Sequence, residues 1–367
     1  MSTTETNWKQ YCDAELALLQ PILAKSGYQL FADQPHLKGE RYLMQAVSTT
    51  SGPKLILLGT DHSGARVVIK ASRDPSGQAE LKHEQSARTL LNKMQFAAEV
   101  FHIPEERDWL RKKGFLIAVQ QFIEQPCQFL ERPTAEQFDF ALSAFTAQEG
   151  THATTYKHRQ SISRVFEIRS AESYQKRFAA YAQNFKTALP EETTIAATLQ
   201  SASALLEQEA YTIAQYSGFL THTDFVPHNF RIAADGTMYL LDHSSLCFGN
   251  KYEGWARFIN FMELYNQELA KALCQYVKDN RATEEVLALK LMRIYRLGEI
   301  IWYYTDKLQH SEDNLLQLNT ARIHFWSDML LCIINDTEIP HSLITAYQEK
   351  RDSLRSDDEK DRQQNLH

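Results

Sequence analysis

The spacing of apolar residues changes along the chain. Residues 8–25 carry apolar side chains at helical intervals and predict an amphipathic helix that ends at Gly27. Short apolar runs rich in β-branched residues follow, and they predict strands at 55–58, 66–70 and 115–119. The first third of the chain is therefore expected to be mostly β-structure after one helix.

Two further segments lie between the predicted strands. Apolar positions at helical spacing over 79–94 predict a helix, and the charged stretch 105–113 is interpreted as an excursion between two strands. From residue 126 onward helical patterns dominate, apart from a hairpin at about 220–242. The helices predicted in this part are 133–147, 173–189, 192–217, 252–280, 283–308, 311–335 and 342–354.

This order predicts an α+β, bilobal chain with a small β-rich N-lobe and a larger, mostly helical C-lobe. The length of 367 residues agrees with two units or one bilobal domain, because domains average roughly 150 residues. We assign 1–40 to an N-terminal helical extension, 41–125 to the N-lobe and 126–354 to the C-lobe. Residues 355–367 are charged and lack apolar anchors, so we expect a flexible tail.

Composition narrows the classes of function. The chain has 39 basic and 46 acidic residues, a net charge of −7 that disfavours nucleic-acid binding and is compatible with a cationic substrate. Five scattered cysteines without a C-x-x-C pair are typical of reduced thiols in a cytoplasmic protein. We find no signal-peptide pattern, no apolar run of membrane length and no zinc-type histidine spacing. A cytoplasmic protein without nucleic-acid or membrane partners is expected, and its oligomeric state stays open.

The segment 222–229 reads H-x-D-x-x-P-x-N, and Asp242 follows thirteen residues after Asn229. A hydroxyl that attacks a γ-phosphate needs a carboxylate to orient it and accept its proton, and Asp224 is the candidate for this catalytic base. Phosphates are usually accompanied by Mg²⁺, which prefers carboxylate and amide oxygens. Asn229 and Asp242 are therefore the candidate metal ligands.

The residues between the two candidate ligands explain the spacing. Residues 230–232 and 238–241 have the pattern of short strands, and residues 234–237 have the composition of a turn. A hairpin of this kind would bring Asp242 back beside Asn229. Either aspartate alone is better explained as the cap of a turn or loop. The combination of all the residues at this spacing favours phosphoryl transfer.

A second group of candidates precedes this loop. Lys70 ends the predicted strand 66–70, and the next helix contains Glu80 and Glu84. A lysine that pairs with nucleotide phosphates and is held by a glutamate forms the other half of a kinase site. We favour Glu84 as the partner of Lys70 and leave Glu80 as the alternative. Small residues before strand 55–58 would let backbone amides approach phosphates, and the candidates are Ser48, Thr49 and Ser51.

With these motifs, residues 41–330 resemble the aminoglycoside phosphotransferase and choline kinase group of the protein-kinase-like fold. Val67-Val68-Ile69-Lys70 is similar to the V-A-I-K strand, and His222-Thr223-Asp224 with Asn229 is similar to the H-G-D-x-x-x-x-N loop. The resemblance implies ATP as phosphate donor, with GTP also possible, and Mg²⁺ as cofactor. It also implies that backbone groups of a hinge at 121–124 bind the adenine, and the residues assigned to this role are Gln121, Phe122 and Ile123.

Several departures from related patterns are informative. Thr223 replaces the arginine of many regulated protein kinases, Val226 replaces their usual lysine, and no A-P-E follows Asp242. These differences argue against a protein kinase. Gly254 stands where the aminoglycoside group has a second aspartate, so that pairing is expected to be absent or taken over by Glu253 or Arg257.

The acceptor side is less well defined by the sequence. The aromatic run 296–304 with Glu299 would suit an amine or a sugar, although packing in the core is the preferred interpretation. A polar cluster is a second candidate: His152, Tyr156, His158 and Arg159. His222 is expected to hydrogen-bond backbone near Asp242 rather than to shuttle protons.

Three functions are compatible with these residues. The first is a phosphotransferase that moves the γ-phosphate of ATP to a hydroxyl of an aminoglycoside-, choline- or sugar-like small molecule. The second is a nucleotide-binding pseudokinase or scaffolding module, which the joint retention of Lys70, Asp224, Asn229 and Asp242 disfavours. The third is a protein kinase, which the departures above disfavour.

Overall fold

The computed structural model describes residues 8–34, 37, 52–94, 102–152, 156–355 and 360. Its N-terminal part contains a five-stranded antiparallel sheet with strand order β1-β2-β3-β5-β4. The elements are α1 (Trp8–Lys25), β1 (Gln29–Leu30), β2 (Leu55–Thr60), β3 (Arg66–Ser72), α2 (Pro75–Lys93), β4 (Glu106–Lys112) and β5 (Phe115–Gln121). The strand that carries Lys70 is therefore central, between β2 and β5.

Helix α2 begins four residues before its predicted start. Asp74 is the N-cap, and its side chain accepts hydrogen bonds from the backbone amides of Ser76 (2.8 Å) and Gly77 (3.3 Å). Pro75 occupies the first helical position, where a missing amide hydrogen costs no hydrogen bond. The cap therefore explains a start that apolar periodicity alone could not locate.

The charged stretch 105–113 is a strand and not an excursion, so this prediction was wrong. Strand β4 pairs with β5 along Trp109↔Ala118 and its neighbours, and it forms one edge of the sheet. Charged side chains are common on edge strands because they discourage pairing with other chains. The charges that argued against a strand are thus typical of an edge strand.

Helix α1 shares a hydrophobic core with the sheet. Trp8, Leu19 and Leu23 of α1 are buried together with Leu57 and Ile69 of the central strands. Burial of each such large side chain contributes about 1.5–3 kcal/mol to stability. The helix therefore closes one face of the N-terminal sheet.

The remainder of the described chain is mostly helical, as predicted. Its core surrounds α10, which packs against α5, α8 and α11. The elements are α3 (Thr134–Glu149), α4 (Tyr156–Ile162), α5 (Ala171–Ala188), α6 (Thr193–Gln208), α7 (Ala210–Gln215), β6 (Ser217–His222), β7 (Phe230–Ile232), β8 (Met238–Leu240), β9 (Leu246–Asn250), α8 (Tyr252–Tyr265), α9 (Gln267–Asn280), α10 (Thr283–Leu308), α11 (Asp313–Ile334) and α12 (His341–Leu354). Within the described ranges, none of the helices combines the length and the apolar character that a membrane crossing requires.

Two helices that were predicted as continuous are broken. The predicted helix 252–280 divides at Asn266, whose side chain accepts a hydrogen bond from the backbone amide of Leu269 (3.1 Å) and starts α9. The predicted helix 192–217 divides at Glu209 and ends before Ser217, where β6 begins. Both predictions relied on the helical spacing of apolar residues. This spacing continues across each break, so it does not show where one helix ends and the next begins.

Candidate active site

The hairpin that follows the segment 222–229 has the predicted form. Strands β7 and β8 pair antiparallel, with Phe230 opposite Leu240. In the turn, Asp235 accepts the backbone amide hydrogen of Thr237 (2.9 Å). The backbone amide of Leu241 then donates to the carbonyl of Asn229 (2.8 Å). This last hydrogen bond brings residue 242 beside residue 229, as the sequence predicted.

His222 at the end of β6 holds the backbone around the candidate metal ligand. Its Nε2 lies 3.1 Å from the carbonyl oxygens of both Leu241 and Asp242. Because carbonyl oxygens only accept hydrogen bonds, this ring nitrogen must carry the proton. The predicted structural role of His222 is therefore confirmed.

Thr223 fixes the same segment from the other side. Its backbone amide and its hydroxyl both donate to the carbonyl of Ser245, at 2.8 and 3.0 Å. The threonine side chain is thereby directed to the backbone that follows Asp242. Residue 223 consequently positions the candidate metal ligand.

Asp242 has a left-handed backbone conformation, which few residues other than glycine adopt. Its φ of 50° lies in the left-handed region, where aspartate is tolerated better than most side chains. Its two oxygens accept hydrogen bonds from the hydroxyls of Ser244 (2.5 Å) and Ser245 (2.7 Å). Burial acts to raise the pKa of Asp242, but His222 and the two serine hydroxyls outweigh it and lower the pKa. The group is thus an ionised, oriented carboxylate at neutral pH.

Asp224 is held by Asn229 and Arg257 and remains partly open to solvent. Asn229 donates through Nδ2 to Asp224 Oδ2 and to its backbone carbonyl, both at 2.8 Å. Arg257 of α8 donates through Nε to Asp224 Oδ1, also at 2.8 Å. The Asp224 side chain is 36% exposed, whereas that of Arg257 is 4% exposed. The loop therefore presents an oriented carboxylate at an accessible position.

Asn229 and Asp242 have suitable atoms for Mg²⁺. Because Asn229 uses its amide nitrogen on Asp224, its Oδ1 is the atom left for a cation. Across the residues that the structure describes, no group of three or more His, Cys, Asp or Glu side chains forms a self-contained metal site. A pair of protein ligands fits Mg²⁺, because this ion usually retains waters and takes phosphate oxygens as further ligands.

Lys70 pairs with Glu84, the favoured partner. Its Nζ lies 2.5 Å from Glu84 Oε1, and the Glu84 side chain is buried. Glu80, one helical turn earlier, pairs instead with Lys54 at 3.0 Å. Burial acts to raise the pKa of Glu84, but Lys70 and the nearby His243 lower it well below its usual range. Glu84 is thus an ionised carboxylate within the protein interior.

The predicted hinge uses part of its backbone within the protein. The amide of Gln121 donates to the carbonyl of Glu105 (2.8 Å), and that of Phe122 donates to the carbonyl of Arg66 (3.3 Å). The amide of Ile123 is then the remaining donor of the three, as far as the described residues extend. The predicted phosphate-binding residues lie outside the described residues, and these are Ser48, Thr49 and Ser51.

Thr221 contacts the backbone at Gly254, the position of the missing second aspartate. The backbone amide of Gly254 donates to Thr221 Oγ1 (3.0 Å). A Cβ atom at Gly254 would lie 3.1 Å from that oxygen and 3.2 Å from the carbonyl of His222. The start of α8 is therefore held against the end of β6 by a hydrogen bond to Thr221.

The two residues suggested for the missing pairing, Glu253 and Arg257, each bind a charged partner. Glu253 is fully buried and binds Arg169, Arg296 and the hydroxyl of Tyr174 (2.6 Å). Arg257 binds Asp224. Whether the pairing of the second aspartate is absent or taken over by one of them stays a prediction.

Removing the Thr221 hydroxyl is expected to destabilise the fold. Thr221→Val would leave the buried amide of Gly254 without its acceptor, which costs about 1–3 kcal/mol. Urea unfolding would measure this loss. Thr198→Val is the matched control, because the Thr198 hydroxyl only donates to a helical carbonyl (3.1 Å) and its removal leaves no buried amide unpaired. Equal stability of the two variants would contradict this role of Thr221.

Most of the aromatic run after residue 296 is core, as preferred. Tyr304 is buried and Trp302 stacks on Tyr181, whereas Tyr303 is exposed. Glu299 forms an ion pair with Arg296 of the same helix. The aromatic residues therefore pack helices together and do not need a ligand to explain them.

The second polar cluster is only partly described. His152 is exposed, and its ring packs against Phe219 with centroids 4.5 Å apart. The side chains of Tyr156 and His158 lie outside the described residues, and Arg159 is exposed. The described contacts do not connect this cluster with Asp224.

Sequence reasoning missed two residues beside the catalytic loop. Arg257 was not connected with Asp224, although a cation in the otherwise apolar stretch of α8 needs a buried partner. His228 was not considered, and burial lowers its pKa to about 4, so it is neutral near physiological pH. A charged residue within an apolar helix was the available signal for the first of them.

Comparisons with known proteins identify the fold. No protein-family model and no curated protein matches the sequence. A thermostable mutant of the aminoglycoside phosphotransferase APH(4)-Ia, in ternary complex with ADP and hygromycin B, matches 88% of this chain and 99% of its own, with a TM-score of 0.57 and 13% identity. Macrolide 2'-phosphotransferase MphH from Brachybacterium faecium matches 89% and 100%, with a TM-score of 0.53 and 14% identity.

A third similar structure is the GDP and kanamycin complex of APH(2")-IIia, which matches 89% of this chain and 97% of its own, with a TM-score of 0.53 and 11% identity. Identities this low establish shared architecture. The chain therefore has the bilobal, protein-kinase-like fold of these aminoglycoside and macrolide phosphotransferases.

Proposed function

We propose that the protein transfers the γ-phosphate of a nucleoside triphosphate to a hydroxyl group of a small molecule. The observation that carries this proposal is the accessible Asp224 carboxylate, oriented by two hydrogen-bond donors and joined through a hairpin to Asp242. Structural similarity to phosphotransferases across most of the chain supports it.

Asp224 would be the general base. Its carboxylate would accept a hydrogen bond from the acceptor hydroxyl and take its proton as the oxygen attacks phosphorus. General-base catalysis of this kind contributes about 10²–10⁴-fold to the rate. The donors on Asp224 hold the carboxylate in one orientation, which reduces the reorganisation needed during the reaction.

Asn229 and Asp242 would hold Mg²⁺. When bound, this ion would neutralise charge on the phosphate oxygens of the nucleotide. The chain would contribute the Asn229 amide oxygen and the Asp242 carboxylate, whose lowered pKa keeps it ionised. His222 would maintain the turn on which Asp242 lies.

Lys70 would bind nucleotide phosphates, and Glu84 would hold its ammonium group in place. The nucleotide would lie between the segments 41–125 and 126–354, with its base against Gln121, Phe122 and Ile123. Ser48, Thr49 and Ser51 remain the proposed phosphate loop. ATP is the proposed donor and GTP is the alternative, since similar structures were solved with ADP and with GDP.

Two residues support a small-molecule acceptor over a protein. Thr223 directs its hydroxyl to the Ser245 carbonyl and offers no cation to a phosphorylated segment. Val226 is fully buried, so it cannot approach a γ-phosphate as a lysine would. Two of the similar structures are complexes with hygromycin B and with kanamycin, and another is a macrolide 2'-phosphotransferase, so two compound classes are represented. We therefore propose an acceptor of aminoglycoside, macrolide, choline or sugar type.

A coupled assay of ADP release tests this function. Purified protein with Mg·ATP would be screened against hygromycin B, kanamycin, a macrolide, choline, sugars and homoserine. We expect ADP release above the water background for at least one compound, with a phosphorylated product detected by mass spectrometry. Omission of Mg²⁺ or addition of EDTA should abolish it, because without the cation the Asp242 carboxylate would repel the phosphates and the Asn229 amide carries no charge to offset them.

The assay also separates the alternatives. A nucleotide-dependent rise in melting temperature without product for any compound would favour a pseudokinase. Transfer of label to protein substrates would favour a protein kinase. Product formation that is insensitive to EDTA would contradict the assignment of the metal ligands.

A further inference from the structure

Helix α8 carries an arginine that directly contacts the proposed base. We propose that Arg257 is a positioning residue, which holds the Asp224 carboxylate in the orientation that accepts the proton of the acceptor hydroxyl. This inference rests on the proposed function, in which Asp224 is that base. It adds a residue from outside the H-x-D-x-x-P-x-N loop to the reaction.

The contact is short and the arginine has little freedom to leave it. Arg257 Nε donates to Asp224 Oδ1 at 2.8 Å, and the side chain of Arg257 is buried. Its guanidinium carbon lies 5.9 Å from the centroid of the Phe261 ring, one turn further along α8. A buried guanidinium cannot regain water without opening the helix packing, so its position is set by α8.

The position of α8 is in turn set by the end of β6. The amide of Gly254 donates to Thr221 Oγ1 (3.0 Å), three residues before Asp224 in the chain. Gly254 and Arg257 are three residues apart on the helix and therefore lie on the same face. The hydrogen bond that docks the helix thus also directs Arg257 towards Asp224.

Arg257 and Asn229 divide the carboxylate between them. Asn229 Nδ2 binds Oδ2 and Arg257 Nε binds Oδ1, so rotation of the carboxylate would break both hydrogen bonds. Each carboxylate oxygen can accept more than one hydrogen bond, and the exposed side of Asp224 remains available for a hydroxyl. Because Asn229 is also a proposed metal ligand, Arg257 is the donor whose effect on Asp224 can be tested separately.

Replacement of Arg257 by alanine should lower kcat more than it changes KM. Misplacement of a reacting group by about 1 Å can cost ~10²-fold in rate, and we expect a loss of this order in kcat with KM for ATP changed less than about two-fold. The measurement is steady-state ADP release with Mg·ATP and whichever compound of the screening panel reacts fastest. Guanidinium chloride at millimolar concentration should restore part of the rate by filling the vacated position.

Two further variants distinguish positioning from stability. Arg257→Lys keeps the charge but loses the Nε donor, so we expect a kcat between those of wild type and Arg257→Ala. Arg293→Ala is the matched control, because Arg293 of α10 pairs with Glu263 of α8 (2.7 Å), the helix that also carries Arg257, and is likewise largely buried. This control should lose stability while keeping kcat in the folded fraction, and guanidinium should not change its rate.

The outcomes separate this inference from the proposed function. If wild type transfers phosphate and Arg257→Ala keeps the wild-type kcat, the positioning role is wrong. It is also wrong if Arg257→Ala and Arg293→Ala lose kcat equally and guanidinium restores neither. If Arg257→Ala does not fold, the kcat of Arg257→Lys is compared with that of wild type. A lower kcat supports the positioning role, and an equal kcat contradicts it. If wild type transfers phosphate to no compound of the panel, the proposed function fails first and this inference fails with it.

Discussion

Replacement of Asp224 by asparagine is expected to abolish phosphotransfer while the fold and nucleotide binding persist. An amide cannot accept the proton of the acceptor hydroxyl, so the rate should fall by about 10²–10⁴-fold. The asparagine oxygen can still accept the hydrogen bond from Arg257 Nε, and Asn229 Nδ2 loses its side-chain acceptor but can still donate to the backbone carbonyl of residue 224, so the local fold should be retained. Steady-state product formation and the thermal shift with Mg·ATP would be measured together.

Asp235→Asn is the matched control for this change. Asp235 lies in the turn of the same hairpin, and an asparagine there can still accept the amide hydrogen of Thr237. This variant should keep wild-type turnover. If Asp224→Asn turned over as fast as Asp235→Asn, Asp224 would not be the base.

Replacement of Lys70 by methionine is expected to cause the second large effect. It would leave the buried Glu84 carboxylate without its main counter-ion, and breaking a buried pair in this way costs about 3–5 kcal/mol. Turnover should also be lost, because the proposed phosphate ligand is gone. Chemical unfolding at neutral and at mildly acidic pH would measure the stability loss.

Glu84 determines how the destabilisation caused by Lys70→Met depends on pH. In wild type the pKa of Glu84 is lowered in the folded state, so the pair stabilises the fold above the unfolded pKa, and this contribution is lost as pH falls through the folded pKa. Without Lys70, burial would raise that pKa. The destabilisation should therefore be largest at neutral pH and smaller in acid.

Two comparisons isolate the buried charge. The double variant Lys70→Met with Glu84→Gln should recover most of the stability but none of the turnover. Lys54→Met removes a cation from the more exposed Glu80 on the same helix, where a surface pair contributes only about 0–1 kcal/mol. Equal stability losses for Lys70→Met and Lys54→Met would refute the buried-pair interpretation.

The hairpin and its ligands could be predicted because their geometry is local. Two short strands joined by a turn must return beside each other, so the spacing of Asn229 and Asp242 is enough to bring them together. The strand that carries Lys70 was likewise predicted from its β-branched run, whereas its central position in the sheet is a finding of the structure. Local sequence patterns therefore account for most of the candidate site.

The contacts that sequence reasoning missed or left open join residues distant in the chain. Arg257 and Asp224 are 33 residues apart and lie on different elements, so no period or spacing connects them. Glu80 and Glu84 share one face of α2, and only the position of that helix over β3 decides which of them meets Lys70. Thr221 and Gly254 are also 33 residues apart, and only the structure shows that the threonine hydroxyl accepts the backbone hydrogen bond of the glycine.

Transfer of labelled γ-phosphate from Mg·ATP into a small hydroxyl compound is the most direct test of the central claim. Wild type and Asp224→Asn would be assayed side by side with the compounds of the screening panel, and the labelled product would be separated from inorganic phosphate. The account predicts label in a small-molecule product with wild type and at least about 10²-fold less with Asp224→Asn. Label confined to inorganic phosphate or protein, or equal labelling by the two proteins, would contradict it.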